Sequence, residues 1–528
     1  MLSPFSNLEC LGLLAKRLIL FNIIDLNQGS DILTITDSSL PITHYPLPTG
    51  FFTTRIDIMR KTIRSTTTAP QSPTIPATDS NLPAQQAAGF FGREQELQQI
   101  ERVFVKDKTR RLTITGMSGQ GKSSLAIEAG QRLYHSGQFK KICLVDYGAF
   151  SKQDAVDLAI KTLARVLDSD LVNVVTATEA LKDIPTLLIL DNLDMISLEQ
   201  LPKLLEVAEQ CSEVGACRLL LTSEQAEFEQ FGEFLNNHHI LPLSGLAKAD
   251  ALAYFEQLLA LPPITPIKPP KSAEVLSLFK QVAFHPLSIG VLAIALKTLP
   301  PQEVERRLPT LLEQDDPFWA LLKWALENLI VEIELTGALY WLAILLKRNT
   351  KKPFRLDAKT VRFLPRLSVF QGGVFEPDLL EITEVTKKQW YLLCSALQTA
   401  GLIKLEFLPD FKVPYIKFHP TLSPTLWPHF SSAEEQAFIF SDYQQRYAQL
   451  AAYMAYEESK NMVQVHALVQ HDFSNLLHAV HSALDAQEVW AVQFVKNLNI
   501  FLNYFGFQRD SAILGQRAEI AQSQKKKK

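Results

Sequence analysis

The chain has 528 residues, of which 47% are hydrophobic and 20% are charged, and its formal net charge is -4. At about 100–200 residues per domain, this length predicts roughly three or four domains, each long enough to bury a core. The nearly balanced charge disfavours a partner recognised by bulk charge, such as nucleic acid, an anionic membrane or an acidic substrate.

The five cysteines are scattered and form no Cys-x-x-Cys pair of the kind found in zinc and redox sites, which fits a reducing cytosol. No apolar run reaches the ~18 residues of a membrane-spanning helix. The nearest candidate, residues 11–26, is split by Lys16 and Arg17 and lacks the small-residue cleavage site of a secretory signal. The sequence therefore predicts a cytoplasmic protein without a membrane span.

Residues 1–88 differ from the rest of the chain, because a stretch rich in Ser, Thr, Pro and Ala follows Arg64. Such a stretch has too little apolar surface to order itself, so it predicts a flexible linker. Two interpretations of the preceding residues stay open. Translation starts at Met59, or the segment is a remnant of an N-terminal effector domain.

Residues 89–245 alternate short apolar runs with amphipathic helical stretches, a pattern typical of βαβ units and a parallel sheet. The predicted strands are RLTIT (111–115), KICLVDY (141–147), TLLILD (186–191), CRLLLT (217–222) and HHILPL (238–243). This region is therefore predicted to be an α/β domain.

The remaining chain is predicted to be mainly helical, which makes the fold class multidomain α/β plus α. Residues 246–312 form a helical domain, and residues 313–428 combine helices with two extended runs around a turn, which favours a winged helix. Residues 429–528 are amphipathic helices that fit either a tetratricopeptide-like array, truncated at its end, or a plain helical bundle. We interpret the terminal lysines as a solvated tail.

A phosphate-binding loop follows the first predicted strand. Residues 116–123 read GMSGQGKS, which fits GxxxxGK[ST] directly between a strand and a helix. In this motif the glycines let backbone N–H groups face the phosphates, the lysine reaches the β- and γ-phosphates, and the following hydroxyl ligates Mg²⁺. The candidate ligands of ATP or ADP here are Gly116, Gly119, Gln120, Gly121, Lys122, Ser123 and Ser124, with Ser123 on the metal.

Carboxylates at the end of the third predicted strand complete the candidate site. Asp191 is predicted to hold Mg²⁺ through water. The next residue is Asn192, where many ATPases carry an acid that activates water, and Asp194 is the nearby substitute. The candidate catalytic residues are thus Lys122, Asp191 and Asp194, and they predict slow rather than fast hydrolysis. Thr222 and Ser223 are either a γ-phosphate sensor or ordinary loop residues.

An ordered series of motifs resembles the NB-ARC/STAND class of signal-transducing P-loop ATPases over roughly residues 90–426. The series is FFGRE (90–94), GMSGQGKSS (116–124), LLILDNLD (187–194), LLLTS (219–223), LPLSGLAKADALAYF (241–255), FHPLS (284–288), LPRLSVFQGGVF (364–375) and IKFHP (416–420). The resemblance implies that Phe91 and Arg93 lie against the adenine and that Pro286 packs on the base from the helical domain. It also implies that His419 reaches the β-phosphate of ADP and locks a closed state.

Two departures from this class concern hydrolysis. The strand-end arginine that contacts the γ-phosphate is missing from the residues 222–225, which read TSEQ, and Asn192 stands where an acid is usual. Both weaken γ-phosphate sensing and hydrolysis without touching ADP binding.

The predicted function is a switch that is closed with ADP and opened by exchange to ATP. Its C-terminal helices would sense a signal and contact protein partners, and the open form would self-associate through the P-loop domains. A P-loop phosphotransferase with a helical lid is one alternative, which the scarcity of arginines between Leu243 and Arg306 disfavours. A scaffold with a decayed nucleotide site is another. Lys387 and Lys388 form the only basic pair of the predicted recognition region, which disfavours nucleic-acid binding.

Overall fold

The computed structural model describes residues 79–83, 89–148, 153–224, 237–261, 270–334, 351–356, 358–408, 411 and 413–525. The predictions for residues 1–78 and 84–88, for Gln225 and for the last three lysines lie outside these ranges. Within the described ranges, no helix combines the length and hydropathy needed to cross a bilayer.

A five-stranded parallel sheet forms the centre of the first domain. Its strands are β1 (Arg111–Thr115), β2 (Lys141–Asp146), β3 (Thr186–Asp191), β4 (Arg218–Ser223) and β5 (His238–Pro242). They lie in the order β2-β3-β4-β1-β5, and each neighbouring pair is parallel. All five strands predicted from the sequence are confirmed, and the phosphate loop joins the sheet to a helix as in P-loop α/β domains.

Helices cover both faces of this sheet, which explains why its strands read as continuous apolar runs. The helices are α1 (Glu94–Glu101), α2 (Lys122–His135), α3 (Ala155–Leu167), α4 (Val174–Leu181) and α5 (Leu201–Glu213). The side chains of successive residues of β3 pack into separate hydrophobic cores on opposite faces of the sheet. Leu188 and Leu190 belong to the core under α3, α4 and α5, whereas Leu187 and Ile189 belong to the core under α1 and α2.

Residues Asp79–Pro83, within the predicted flexible linker, are ordered along the edge strand β2. Ser80 forms a parallel bridge with Ile142. The Asn81 side chain pairs with β2 as the backbone of a neighbouring strand would. Its amide donates to the Leu144 carbonyl at 2.7 Å, and its carbonyl accepts from the Leu144 N–H at 2.8 Å. A low-complexity stretch can thus still pair with an open sheet edge, while the linker role of the remaining residues stays a prediction.

We expect Asn81→Ala to lower the free energy of unfolding by about 1–3 kcal/mol, because it leaves two backbone groups of Leu144 without their partner. Urea titration of the full chain measures this. Gln95→Ala, on the exposed side of α1, is the matched control and should change stability little. Equal stability of the two variants would contradict a structural role for this segment.

A helical region follows the sheet. It consists of α6 (Lys248–Ala260), α7 (Ser272–Gln281), α8 (Pro286–Leu296), α9 (Pro301–Leu312) and α10 (Pro317–Glu327). From Ile289 onward α8 is apolar on all sides, and it is buried because the other helices surround it. An antiparallel pair, β6 (Ile330–Glu334) and β7 (Lys351–Arg355), comes next. The sequence did not predict this pair, whose strands are far apart in the chain.

The next region contains a second sheet. Its strands β8 (Gly373–Phe375), β9 (Ile403–Glu406) and β10 (Tyr415–Phe418) lie in the order β8-β10-β9 and are antiparallel. Its helices are α11 (Ala358–Val361), α12 (Glu376–Thr383), α13 (Lys387–Thr399) and α14 (Leu422–Leu426). The predicted hairpin is confirmed as β9 and β10, while the winged-helix identity of this region stays a prediction.

Four long helices end the described chain. They are α15 (Ala433–Glu457), α16 (Met462–Asp485), α17 (Ala491–Tyr504) and α18 (Gln508–Lys525). Asn475 of α16 ties them to the second sheet, since its amide donates to the Gly373 carbonyl at 2.7 Å. The first turn of α18 meets the start of α3, where the Asp154 N–H donates to Asp510 at 3.3 Å. The helical content is as predicted, and the choice between an array and a bundle stays open.

Candidate functional site

The loop between β1 and α2 has the conformation that its glycines permit. Gly119 and Gly121 have φ of 80° and 91°, in the left-handed region that favours glycine. The Lys122 ammonium donates to the carbonyls of Gly116 at 2.7 Å and Met117 at 3.2 Å, and burial lowers its pKa. The loop therefore curls around the ammonium, and it holds backbone N–H groups and a cation close together.

Arg93 and Gln120 brace this loop. The Arg93 guanidinium is buried and donates to the carbonyls of Gln120 at 3.3 Å and Ser244 at 2.6 Å, while Gln120 Oε1 accepts from the Met117 N–H at 2.9 Å. Arg93 thus links the loop to the chain after β5, and its place against the adenine stays a prediction. The ring of Phe91 packs near Tyr254 of α6, with centroids 5.7 Å apart.

Asp191, at the end of β3, lies directly beside the loop. Its carboxylate accepts from the Ser123 hydroxyl at 2.9 Å and from the hydroxyl of Thr222. Burial raises its pKa to about 6, and the nearby Asp146 carboxylate adds to this effect. The structure therefore brings together the two residues proposed to bind Mg²⁺. A hydroxyl and a carboxylate oxygen are hard ligands suited to that ion.

Asn192 occupies the position where an acid was expected by resemblance. Its amide donates to Asp146 at 2.9 Å and to Asp191 at 3.1 Å. A third carboxylate here would repel the other two, whereas the amide stabilises both. Burial alone would raise the pKa of Asp146, but Lys417 at 2.8 Å, together with Gly148 and Asn192, holds it below its usual value.

Asp194 lies at the exposed rim of this arrangement. Its carboxylate accepts from the Ser223 hydroxyl at 2.8 Å and from the Glu224 N–H at 2.7 Å, so it closes the turn after β4. The hydroxyls of Ser123 and Thr222 thus donate hydrogen bonds to Asp191, whereas Asp194 accepts its hydrogen bonds from residues at the end of β4.

The helical region touches the phosphate loop through residues that the sequence analysis missed. His285 caps the start of α8, and its Nε2 lies 2.8 Å from the Ser118 carbonyl. The carbonyl can only accept, so Nε2 carries the proton. The Leu287 N–H donates to the Gly119 carbonyl at 3.3 Å. Pro286, the predicted contact, is the first residue of α8 between these two. The histidine of the FHPLS motif was the signal that could have identified this contact.

The third region reaches the loop from the end of β10. Thr421 Oγ1 lies 2.5 Å from Ser118 Oγ. His419 Nδ1 accepts from the Thr421 N–H at 3.2 Å, which leaves its Nε2–H free to donate to a ligand. Burial and the charges of Lys122 and His285 lower the pKa of His419 to about 4. The imidazole is therefore neutral at pH 7 and lies near the loop lysine. Lys417 and Thr421 were not predicted as site residues.

The Asp146–Lys417 ion pair joins the first domain to the second sheet. We expect Lys417→Met to weaken this contact by about 1–2 kcal/mol, because both side chains keep partial contact with water. Hydrogen–deuterium exchange of the β10 backbone should become about tenfold faster. Adding Asp146→Asn should restore part of the protection, and Lys387→Met, at an exposed position in the first turn of α13, is the control. Unchanged exchange in Lys417→Met would show that the pair does not hold these regions together.

Comparisons with known proteins give the following results. No protein-family model matches the sequence, and no curated protein matches it. The Aeropyrum pernix Orc1 protein in complex with DNA is similar in structure at 13% identity and a TM-score of 0.30, over 64% of this chain and 92% of that chain. C. elegans PCH-2 matches at 16% identity and a TM-score of 0.25, over 44% of this chain and 65% of its own. A chain of the E. coli MS115-1 HORMA:CdnC:Trip13 complex matches at 12% identity and a TM-score of 0.25, over 45% of this chain and 88% of that chain. At these TM-scores the likeness carries no conclusion about function.

Proposed function

We propose that the chain is a nucleotide-dependent switch of the NB-ARC/STAND type, which holds ADP between its P-loop domain, its helical domain and its winged-helix domain. One observation carries this proposal: two segments far away in the sequence both contact the phosphate loop. They are the start of α8, through His285 and Leu287, and the residues after β10, through Thr421. Together with the loop they make three regions around one site. A ligand bound in the loop would contact all three.

The residues around the loop suit a nucleoside diphosphate with Mg²⁺. Lys122 and the loop N–H groups would bind the phosphates, and Ser123 and Asp191 would hold the metal, which supplies charge neutralisation for the phosphate oxygens. His419 would donate its Nε2–H to the β-phosphate. A neutral donor binds a phosphate oxygen without the burial of another full charge.

Hydrolysis is proposed to be slow. Asn192 is committed to two carboxylates, and Asp194 accepts two hydrogen bonds at the neighbouring strand end. Neither group therefore presents a base held next to an attacking water. Exchange of ADP for ATP, rather than turnover, would then change the state of the protein. The ligands can do this only if they bind the closed and open arrangements with different affinity.

The two alternatives find less support. A phosphotransferase lid needs cations aimed at the phosphates, whereas the helical domain presents His285, whose pKa is lowered by burial, and the backbone of α8. A decayed site would have lost loop groups, yet the loop lysine, the hydroxyl of Ser123 and Asp191 all lie together.

The test is the nucleotide content of the purified full-length chain. After denaturation, chromatography of the released small molecules should show ADP at about one per chain, reduced in His419→Ala. A folded chain that contains no nucleotide, and that binds neither ADP nor ATP when they are added, would overturn the proposal.

A further inference from the structure

A cavity of about 670 Å³ lies between the P-loop domain and the C-terminal helices. Its size is within the range of roughly 300–1,000 Å³ that is usual for small-molecule sites. One wall is a face of α3 and the residues that follow it, and the other is formed by α16 and by the turn between α17 and α18. The residues that define its chemistry are Lys161, Arg165, Asp168, Asp170, Phe473 and Phe507.

Two cations line the α3 wall. Lys161 and Arg165 are four residues apart and therefore share one face of the helix. Arg165 donates weakly to groups of its own helix, the Lys161 carbonyl at 3.3 Å and Thr162 Oγ1 at 3.4 Å. In the described part of the chain, neither cation forms an ion pair with a carboxylate. Both are thus available to an anionic group in the cavity.

Two acids lie just beyond the end of the same helix. Asp168 and Asp170 are exposed and line the same cavity as the cations. They too form no ion pair within the ranges that the structure describes. The cavity therefore offers positive and negative side chains that do not neutralise each other, which suits a ligand with both charges.

Aromatic rings form the opposite wall. Phe473 of α16 stacks on Phe507 with centroids 5.1 Å apart, and Phe505 lies 6.2 Å from Phe473. Gly506, with φ of 78°, makes the turn between these rings, and a Cβ there would come within 2.8 Å of Lys161 Nζ. The glycine leaves space for the cation beside an apolar surface.

We propose that this cavity binds a small zwitterionic ligand, an amino acid or short peptide with an apolar side chain. Its carboxylate contacts Lys161 and Arg165, its ammonium group faces Asp168 and Asp170, and its side chain packs on the phenylalanine rings. The ligand would bridge α3 and the C-terminal helices.

The same cavity reaches Asp146, which accepts a hydrogen bond from Asn192 beside Asp191. An occupant is therefore placed to influence the nucleotide site. That influence rests on the proposed nucleotide switch, whereas the binding itself does not.

The probe is the dipeptide alanylphenylalanine, titrated calorimetrically into the full-length chain. The N-acetylated and C-amidated forms of the same dipeptide each lack one charge and should bind at least about tenfold more weakly. Lys161→Gln and Arg165→Gln should each weaken binding of the free dipeptide by about tenfold. The controls are Lys140→Gln and Arg307→Gln, which change exposed cations elsewhere and should leave binding unaltered. Thermal melting verifies that each variant is folded.

Several outcomes would overturn the inference: no binding of the free dipeptide, equal binding of the three forms, or equal binding by the cavity variants and their controls. Lys122→Ala separates this inference from the proposed function, because it should retain dipeptide binding. If the dipeptide binds but nucleotide affinity never responds to it, the cavity is a ligand site without the proposed coupling.

Discussion

Lys122→Ala should weaken ADP binding by about 100-fold, which corresponds to about 3 kcal/mol. The substitution removes the ammonium that the loop carbonyls of Gly116 and Met117 now hold at the centre of the loop. A hydrogen-bonded charge on a phosphate is among the strongest single contacts that a protein can make. Titration with a fluorescent ADP analogue, in the presence of Mg²⁺, measures the affinity of the variant and of the wild type.

Lys140→Ala is the matched control, because Lys140 is exposed just before β2 and should leave the affinity unchanged. The wild type and Lys122→Ala should unfold at similar temperatures once nucleotide is removed. Equal ADP affinity in the two proteins would show that the loop does not bind phosphate.

Asp510→Asn should make the protein more stable than the wild type above pH 7, by up to about 4 kcal/mol, and equally stable near pH 4. Asp510 is 1% exposed in the first turn of α18. Burial raises its pKa to about 7, and the charges of Asp157 and Asp154 add to the shift while Arg509 opposes it. The folded protein therefore keeps a proton on this carboxyl that the unfolded chain releases above about pH 4.

The direction of this change in stability with pH follows from proton binding. Between about pH 4 and pH 7 the folded state binds the extra proton, so the contribution of Asp510 to stability is greatest at low pH and is lost as pH rises through about 7. The neutral amide of Asn removes this dependence. Urea unfolding across this pH range measures it, and Asp183→Asn, an exposed acid, is the control. Parallel pH profiles for wild type and Asp510→Asn would contradict a proton-bound contact between α18 and α3.

Local patterns were sufficient to predict the first domain. Each strand of the parallel sheet is a short apolar run between helical stretches, so β1 to β5 could be located from the pattern of apolar residues. The loop could be located too, because the glycines at 116, 119 and 121 adopt backbone angles that other residues disfavour. The placement of Ser123 beside Asp191 follows from the parallel sheet, since β1 and β3 end at the same edge.

The contacts between regions could not be predicted in this way. His285, Lys417 and Thr421 are ordinary residues of their own segments, and they reach the loop only because separate regions pack together. Asn81 likewise pairs with an open sheet edge that is visible only once the strand order is known. The family resemblance implied a contact from Pro286, whereas the side chain of His285, which caps α8 just before it, contacts the loop.

In the proposed switch, ADP joins the three regions around the phosphate loop. Hydrogen–deuterium exchange of the segments that contain Ser118, Leu287 and Thr421 tests it most directly, with the chain saturated by ADP or by a non-hydrolysable ATP analogue. We expect slow exchange in all three segments with ADP and faster exchange in the Leu287 and Thr421 segments with the analogue. Identical exchange in the two nucleotide states would contradict it.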